Sequence, residues 1–225
     1  MLTNELKIAN GALMKDRQDI LAPAIKRGRP FGSSSKNTRA RLIKAAEEHF
    51  NARAYSDVSM AKVAESAGIT GAAIYNYFDS KDDLLKATLS NRIQIYNQTI
   101  RDAVSGSGSW QDQFNRLLEA VTPLQGGPSG FPMIGNVVIN RLQEEPEKFQ
   151  EIRDLRDESA QVFRSLVAAA VDCGDLPQDT DVVIAGDLMM AITAGAVNTV
   201  SFYHPALDSM APIIDSVKAL LGTKG

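Results

Sequence analysis

The chain has 225 residues, 44% of them hydrophobic and 23% charged, with a net charge of -3. That composition excludes a disordered polymer and gives room for one large domain or two modest ones. The net charge alone argues against a nucleic-acid binder, but its distribution reverses the argument. Residues 26–44 hold Lys26, Arg27, Arg29, Lys36, Arg39, Arg41 and Lys44 with no acid, while the first 25 residues balance, so the rest of the chain is strongly acidic. A basic segment joined to an acidic body suits a nucleic-acid arm on a soluble domain.

Residues 1–36, with Gly11, Pro23, Gly28, Pro30 and the run Gly32-Ser33-Ser34-Ser35, are expected to form a flexible basic N-terminal arm. Its Lys26-Arg27-Gly28-Arg29-Pro30 stretch is similar to the core of AT-hook peptides. An extended Arg-Gly-Arg fits a narrow A·T minor groove, so Arg27 and Arg29 join the DNA-binding candidates. A generic basic tail adding salt-dependent phosphate affinity is the alternative. From residue 37 onward the hydrophobic periodicity is helical and no alternating strand appears, so the class is all-α.

Asn37 or Thr38 can cap a first helix, in which Leu42, Ile43, Ala46 and Phe50 share one face. Ser59 can cap a second, with Met60, Val63, Ala64 and Ala67 at helical spacing and Gly68 as its left-handed stop. Ile69 can anchor the turn. Thr70 can cap a short third helix, Gly71 to Phe78, with Ile74 and Phe78 inward and Tyr75 and Asn76 outward. Two short helices around a glycine turn make a helix-turn-helix. The small Gly71, Ala72 and Ala73 let that helix sit deep in a major groove, and Asn76 can pair with an adenine edge. Ser80 caps a fourth helix with Asp83 three residues on, and Lys81 stands at its N-terminus, where a phosphate would meet free amides and an ammonium together.

The stretch 39–86 resembles the N-terminal domain of the TetR (tetracycline repressor-like, TetR/AcrR) family of bacterial regulators. The matching residues are Leu42-Ile43-x-Ala45-Ala46-x3-Phe50, Val63-Ala64-x2-Ala67-Gly68-Ile69-Thr70, Ile74-Tyr75-x-Tyr77-Phe78 and Ser80-Lys81-x2-Leu84. The resemblance implies phosphate contacts from Thr70, Tyr75, Tyr77 and Lys81, and base-proximal positions at Gly71, Ala72, Ala73 and Asn76. Arg39 and Ser59 complete the DNA-binding set. The chain departs from the family pattern at Ala54, where a glycine is usual, and at Gly71-Ala72-Ala73, where Lys-Gly-Thr is common.

Breaks at 105–109, 125–130, 144–146, 174–177 and 204–205 divide the remainder into helices near 80–104, 110–123, 132–143, 147–173, 179–203 and 207–221. The expected organisation is thus an N-terminal three-helix helix-turn-helix domain (37–85) followed by a helical domain (86–225) for effector binding and dimerisation. The resemblance implies a homodimer through helices 179–203 and 207–221, a double-stranded and palindromic DNA operator, and a small-molecule effector. Polar groups and large side chains on apolar helices supply the effector-pocket candidates: Asn97, Phe114, Met133, Asn136, Asn140, Phe163, Met189 and Thr193. An apolar chamber of this kind suits a hydrophobic or amphipathic effector.

An enzyme is not expected. His49 and His204 are far apart, no His/Cys/Asp/Glu cluster has metal spacing, and Gly126-Gly127-Pro128-Ser129-Gly130 lacks the lysine of a phosphate loop. No catalytic residue, metal or cofactor is expected. A lone Cys173, read as a small buried hydrophobe, fits a reducing, cytoplasmic compartment. The apolar run Val182 to Tyr203 is interrupted by Asp187, Thr193, Asn198 and Thr199, which favours a buried helix over a membrane span. The sequence therefore points to a transcriptional regulator, a repressor released by an effector. The alternative is a DNA-binding protein controlled by a protein partner or acting architecturally.

Overall fold

The computed structural model describes residues 35–125 and 143–203, with single helical positions at 212, 215, 216 and 219. Arg27, Arg29, Met133, Asn136 and Asn140, the expected helix 132–143 but for its last residue, and most of 207–221 lie outside the described residues. The described residues form six α-helices and two 3-10 turns, with no strand, so the all-α expectation holds. We number the helices α1 (Ser35–Ala52), α2 (Met60–Ser66), α3 (Lys81–Val104), α4 (Trp110–Gln125), α5 (Gln150–Asp172) and α6 (Val182–Tyr203).

Helix α1 begins at Ser35, ahead of both expected caps. Thr38 is buried inside it, because it stands one turn before Leu42 and extends the apolar stripe of Leu42, Ile43, Ala45, Ala46 and Phe50. Ser59 flanks α2 in extended backbone, but its hydroxyl makes no capping bond. The entry into α2 is set instead by Lys81, whose ammonium donates to the carbonyl of Val58 at 3.3 Å. Gly68 ends α2 as expected, with φ +73°. Its amide donates to Glu65 O at 2.9 Å and the Ile69 amide to Ala64 O at 2.9 Å, a Schellman closure that a residue with a Cβ would strain.

The segment expected as a short α-helix, 71–78, is instead a 3-10 turn over Ala73–Asn76. Its bonds run i to i+3, from the Ala73 amide to Thr70 O and from the Tyr77 amide to Ile74 O, both at 2.9 Å. Only nine residues separate Thr70 from Ser80, and Ile74 and Phe78 must both reach the core. The 3-10 turn buries both, and the Phe78 amide closes it by reaching back to Ile74 O at 3.1 Å.

Ser80 caps α3 as the sequence predicts, its Oγ accepting from the Asp83 amide at 3.1 Å. Helix α3 has 24 residues, about 36 Å of axis, and serves two apolar cores. Its first half gives Leu84, Leu85, Leu89 and Ile93 to a core shared with α1, α2 and the 3-10 turn. That core also takes Phe149, Ile152 and Leu155 from the start of α5. Its second half gives Ile100 to a core built from Trp110, Phe114, Leu117, Leu118 and Val121 of α4, from Val162, Phe163, Leu166, Val167 and Ala170 of α5, and from Met189 of α6.

Helix α4 starts on a reciprocal cap: the Asp112 amide donates to Ser109 Oγ at 3.2 Å and the Ser109 amide to Asp112 Oδ2 at 2.9 Å. Helix α6 starts on Asp181, whose Oδ1 accepts from the Val183 and Ile184 amides. It runs close along α5: a Cβ added at Gly186 would lie 2.7 Å from the Arg164 Cα. Arg164 pairs with Asp187 beside that crossing, Nε to Oδ1 at 2.8 Å. Cys173 is exposed, contrary to expectation. It follows the last buried turn of α5 and precedes Gly174, so it faces outward at the helix end. No helix among the described residues is long and apolar enough to cross a membrane.

Candidate nucleic-acid interface

Around the 3-10 turn, inward and outward side chains separate cleanly. Ile74 and Phe78 are buried. Thr70, Ala72, Tyr75 and Asn76 are exposed, and Gly71, Ala73 and Tyr77 are half-buried. Tyr75 leaves 56% of its surface to solvent beside the fully buried Ile74. The cause is local. Ile74 is the apolar anchor, and a 3-10 turn rotates the next residue about 120° away from it. Thr70 supports the turn through its Oγ1, which accepts from the Ala73 amide at 3.3 Å. Gly71 lies against α2: a Cβ there would come within 3.1 Å of the Ala61 Cβ. The close approach brings α2 and the turn together without an intervening side chain.

Two basic residues of the candidate set have partners within this domain. Arg39, exposed on α1, places its guanidinium carbon 5.1 Å from the centre of the Phe78 ring. Lys81 folds back over the loop before α2. Its Nζ donates to the carbonyls of Tyr55 at 2.8 Å, Ser56 at 3.2 Å and Val58 at 3.3 Å, and sits 4.4 Å from the Tyr55 ring centre. Three carbonyls match the three donors of an ammonium. The sequence suggested Lys81 for phosphate; the geometry also gives it the task of closing the 55–58 loop. Ser59 is half-buried at the end of that loop.

Sequence reasoning missed the residues that hold this loop from behind. Tyr55 stacks on Phe50 with ring centroids 6.0 Å apart, and its hydroxyl donates to Asp82 Oδ1. Arg92 of α3 pairs with Glu47 of α1. Lys148, just before α5, reaches Asp82 Oδ2 at 2.5 Å and Glu145 at 3.1 Å. The contacts that tie Asp82 to Tyr55 and to Lys148 span 27 and 66 residues of sequence, and no local motif signals them.

The effector-pocket candidates within the described residues are all buried. Phe114, Phe163 and Met189 belong to the second core. Thr193 is buried and returns its hydroxyl to Met189 O at 2.8 Å. Asn97 is buried with its amide donating to Leu155 O at 2.8 Å and its carbonyl oxygen accepting from Ser159. It closes a polar joint between α3 and α5. Near it, burial pushes the Tyr96 hydroxyl up to about 12, against the opposing charge of Arg156. A surface groove of about 540 Å³ runs between α3 and α4, lined by Thr99, Asp102, Arg116 and Glu119, and uses none of the candidate residues.

Residues 42–88 match the family model for bacterial regulatory proteins of the tetR family. The chain is 31% identical over 127 residues to TtgW of Pseudomonas putida, an HTH-type transcriptional regulator named as uncharacterized; the match covers 54% of this chain and 95% of that protein. This chain belongs to the TetR family. It is a DNA-binding transcriptional regulator of bacterial type, and its curated relatives are regulators rather than enzymes. The regulator SrpR of Pseudomonas putida is 26% identical over 68% of this chain and 70% of its own length. The fold matches FadR of Bacillus subtilis, solved in complex with stearoyl-CoA, with a TM-score of 0.66 over 81% of this chain and 96% of that one, at 17% identity.

Proposed function

We propose that this TetR-family member is a homodimeric, cytoplasmic repressor that leaves a palindromic operator when a hydrophobic or amphipathic small molecule binds. The reading divides the chain into a DNA-binding part, 37–85, and an effector-binding and dimerisation part, 86–225. The observation that carries the DNA face is the exposure of Tyr75 and Asn76 beside the exposed Thr70 and Ala72, over a turn whose next-door Ile74 is fully buried. Small residues at 71–73 allow close approach to base edges, Asn76 offers an amide for them, and Thr70, Tyr75 and Tyr77 offer hydroxyls for phosphates. Arg39, Ser59 and Lys81 flank that face, and Arg27 and Arg29 of the basic arm add minor-groove or phosphate contacts.

The dimer reading is supported by α6, which exposes Val183, Ile184 and Leu188, the last two 67% and 58% open. Ile184 and Leu188 are one turn apart and form an apolar stripe that a second copy would cover. The effector reading rests on the likeness to FadR, which was solved with an acyl thioester.

Selection of bound genomic fragments with the full chain tests the central claim. The expected product is a short palindrome, and Tyr75→Ala or Asn76→Ala should weaken its binding at least ten-fold, on the scale of about 1–3 kcal/mol per good base or phosphate contact. Wild-type affinity in both variants would remove this surface from the interface. Sedimentation of Leu188→Lys should show a monomer where the parent chain is a dimer.

A further inference from the structure

The two apolar cores are fastened to each other at the start of α5. Phe149 is fully buried and belongs to the first core, which also holds residues of α1, α2, the 3-10 turn and α3. The residue before it, Lys148, holds Asp82 in the first turn of α3. The other oxygen of Asp82 accepts the Tyr55 hydroxyl, and the Tyr55 carbonyl and ring hold the Lys81 ammonium, which also ties down Ser56 and Val58. A continuous polar chain therefore runs from residues 145–148 through Asp82 and Tyr55 to the loop that delivers the backbone into α2. The Asp82 side chain is only 14% exposed and that of Lys148 35%, so solvent screens the pair less than it would a free surface pair. Asp82 first, and Glu145 after it, hold the Lys148 ammonium in its charged form above the ordinary lysine range.

We propose that Lys148 is a positioning residue for DNA binding: through Asp82 and Tyr55 it fixes the 55–58 loop and the seat of α2, and so sets operator affinity without touching DNA. The inference rests on the DNA-facing reading of α2 and the 3-10 turn. Its physical content is a coupling. The connector that precedes α5 is bound to the DNA-binding core twice, by an apolar plug at Phe149 and by an ion pair at Lys148. Any shift of residues 145–149 must then either move the 55–58 loop or break the pair. A single carboxylate with one oxygen on each side makes that transfer direct, since its two partners share one rigid planar group.

The test uses the full chain and the DNA fragment that the wild-type chain retains from a genomic pool. Operator affinity is measured against salt for wild type, Lys148→Met, Lys148→Arg, Asp82→Asn and Tyr55→Phe, with the thermal midpoint of each. Lys148→Met and Asp82→Asn should each weaken binding about five-fold, Tyr55→Phe less, and Lys148→Arg should keep wild-type affinity. The salt slope should stay unchanged in Lys148→Met. Asp82→Asn discriminates most sharply: removing an acid from a DNA-binding protein should tighten binding by simple electrostatics, whereas the positioning role makes it weaker. Unchanged or tighter binding in Asp82→Asn overturns the proposal. So does a slope lowered by about one in Lys148→Met, which would make Lys148 a phosphate contact. A loss of affinity that follows only the thermal midpoint, and is shared by Lys148→Arg, overturns it as well. A wild-type chain that retains no fragment overturns the DNA-facing reading and this proposal together, whereas the variant outcomes strike the proposal alone.

Discussion

The two cores of this regulator are similar in kind and different in how they are specified. The first gathers α1, α2, the 3-10 turn and the start of α3 within residues 42–93, and its turns carry local chemistry: Gly68 at φ +73°, Thr70 under Ala73, Ser80 under Asp83. The second draws on α3, α4, α5 and α6 across residues 100–189, and depends on which helices meet. A core built from short elements needs a stop and a cap at every corner, and those are written in single residues. A core built from long helices needs only matching faces, which many sequences supply. Phe149 crosses this division: it comes from the second half of the chain and is fully buried in the first core.

The largest effects should come from emptying each core in turn. Phe149→Ala and Phe163→Ala each remove a fully buried ring and should cost about 3–5 kcal/mol by urea unfolding. The comparison lies in what else changes. Trp110 is the one tryptophan of the chain and belongs to the second core, so its fluorescence reports that core directly. Phe163→Ala should shift Trp110 emission in the native state; Phe149→Ala should leave the emission near wild type while weakening DNA binding. The reverse pattern would mean that Phe149 serves the second core, against its observed place.

A matched pair of glycines offers a smaller contrast. Gly68 closes α2 and Gly174 closes α5 by the same Schellman pattern, with φ +73° and +84°. At Gly174 the Asp175 amide donates to Ala170 O at 2.9 Å, as Ile69 does to Ala64 O. A Cβ meets nothing within 4 Å at Gly174 and only the Arg41 guanidinium, at 3.7 Å, at Gly68. Alanine at either place should therefore cost about 1 kcal/mol from backbone strain alone. Gly68→Ala should also weaken operator binding, because the turn it closes seats Ile69 and Thr70; Gly174→Ala should not. Equal operator affinities in the two variants would show that the α2 turn tolerates the change in geometry.

Much of the first core was legible because its signals are local. The buried face of α1, the Gly68 stop, the Ser80 cap, and the inward Ile74 and Phe78 against the outward Tyr75 all follow from short-range spacing. Length was harder to read: a nine-residue gap between Thr70 and Ser80 can hold either a turn of α-helix or a 3-10 turn, and the spacing of Ile74 and Phe78 does not distinguish them. Thr38 misled for a related reason, since a threonine can cap or can join an apolar stripe, and only the upstream start of α1 settles which. The Lys148–Asp82–Tyr55 chain and the Arg92–Glu47 pair were invisible, being contacts across 27 to 66 residues whose members look like ordinary solvated residues. A polar or bulky group on an apolar helix can serve a core as well as a pocket. Asn97 is an example, its amide donating to Leu155 O.

The smallest predicted effect concerns the corner where α4 meets the end of α5, and it depends on pH. Asp175 Oδ2 accepts from the Trp110 indole at 2.7 Å and from Gln111. The indole hydrogen bond first, then those of Gln111 and Cys173, hold its carboxyl below the ordinary value of 3.8. A carboxyl lowered by folding contributes stability that is fully present above its unfolded value and is lost as pH falls through its folded value. The carboxylate's share of stability should thus be intact at about pH 5 and decline only below about 3.8. Asp175→Asn keeps an oxygen for the indole but cannot titrate. Unfolding followed through Trp110 should show the variant less stable than wild type at about pH 5, with the gap narrowing as the medium is taken toward about pH 3. A gap constant across that range would mean that the indole bond is indifferent to the charge of its acceptor. The second core would then be joined to this corner by shape alone, without the charge-assisted contact that Asp82 supplies to the first.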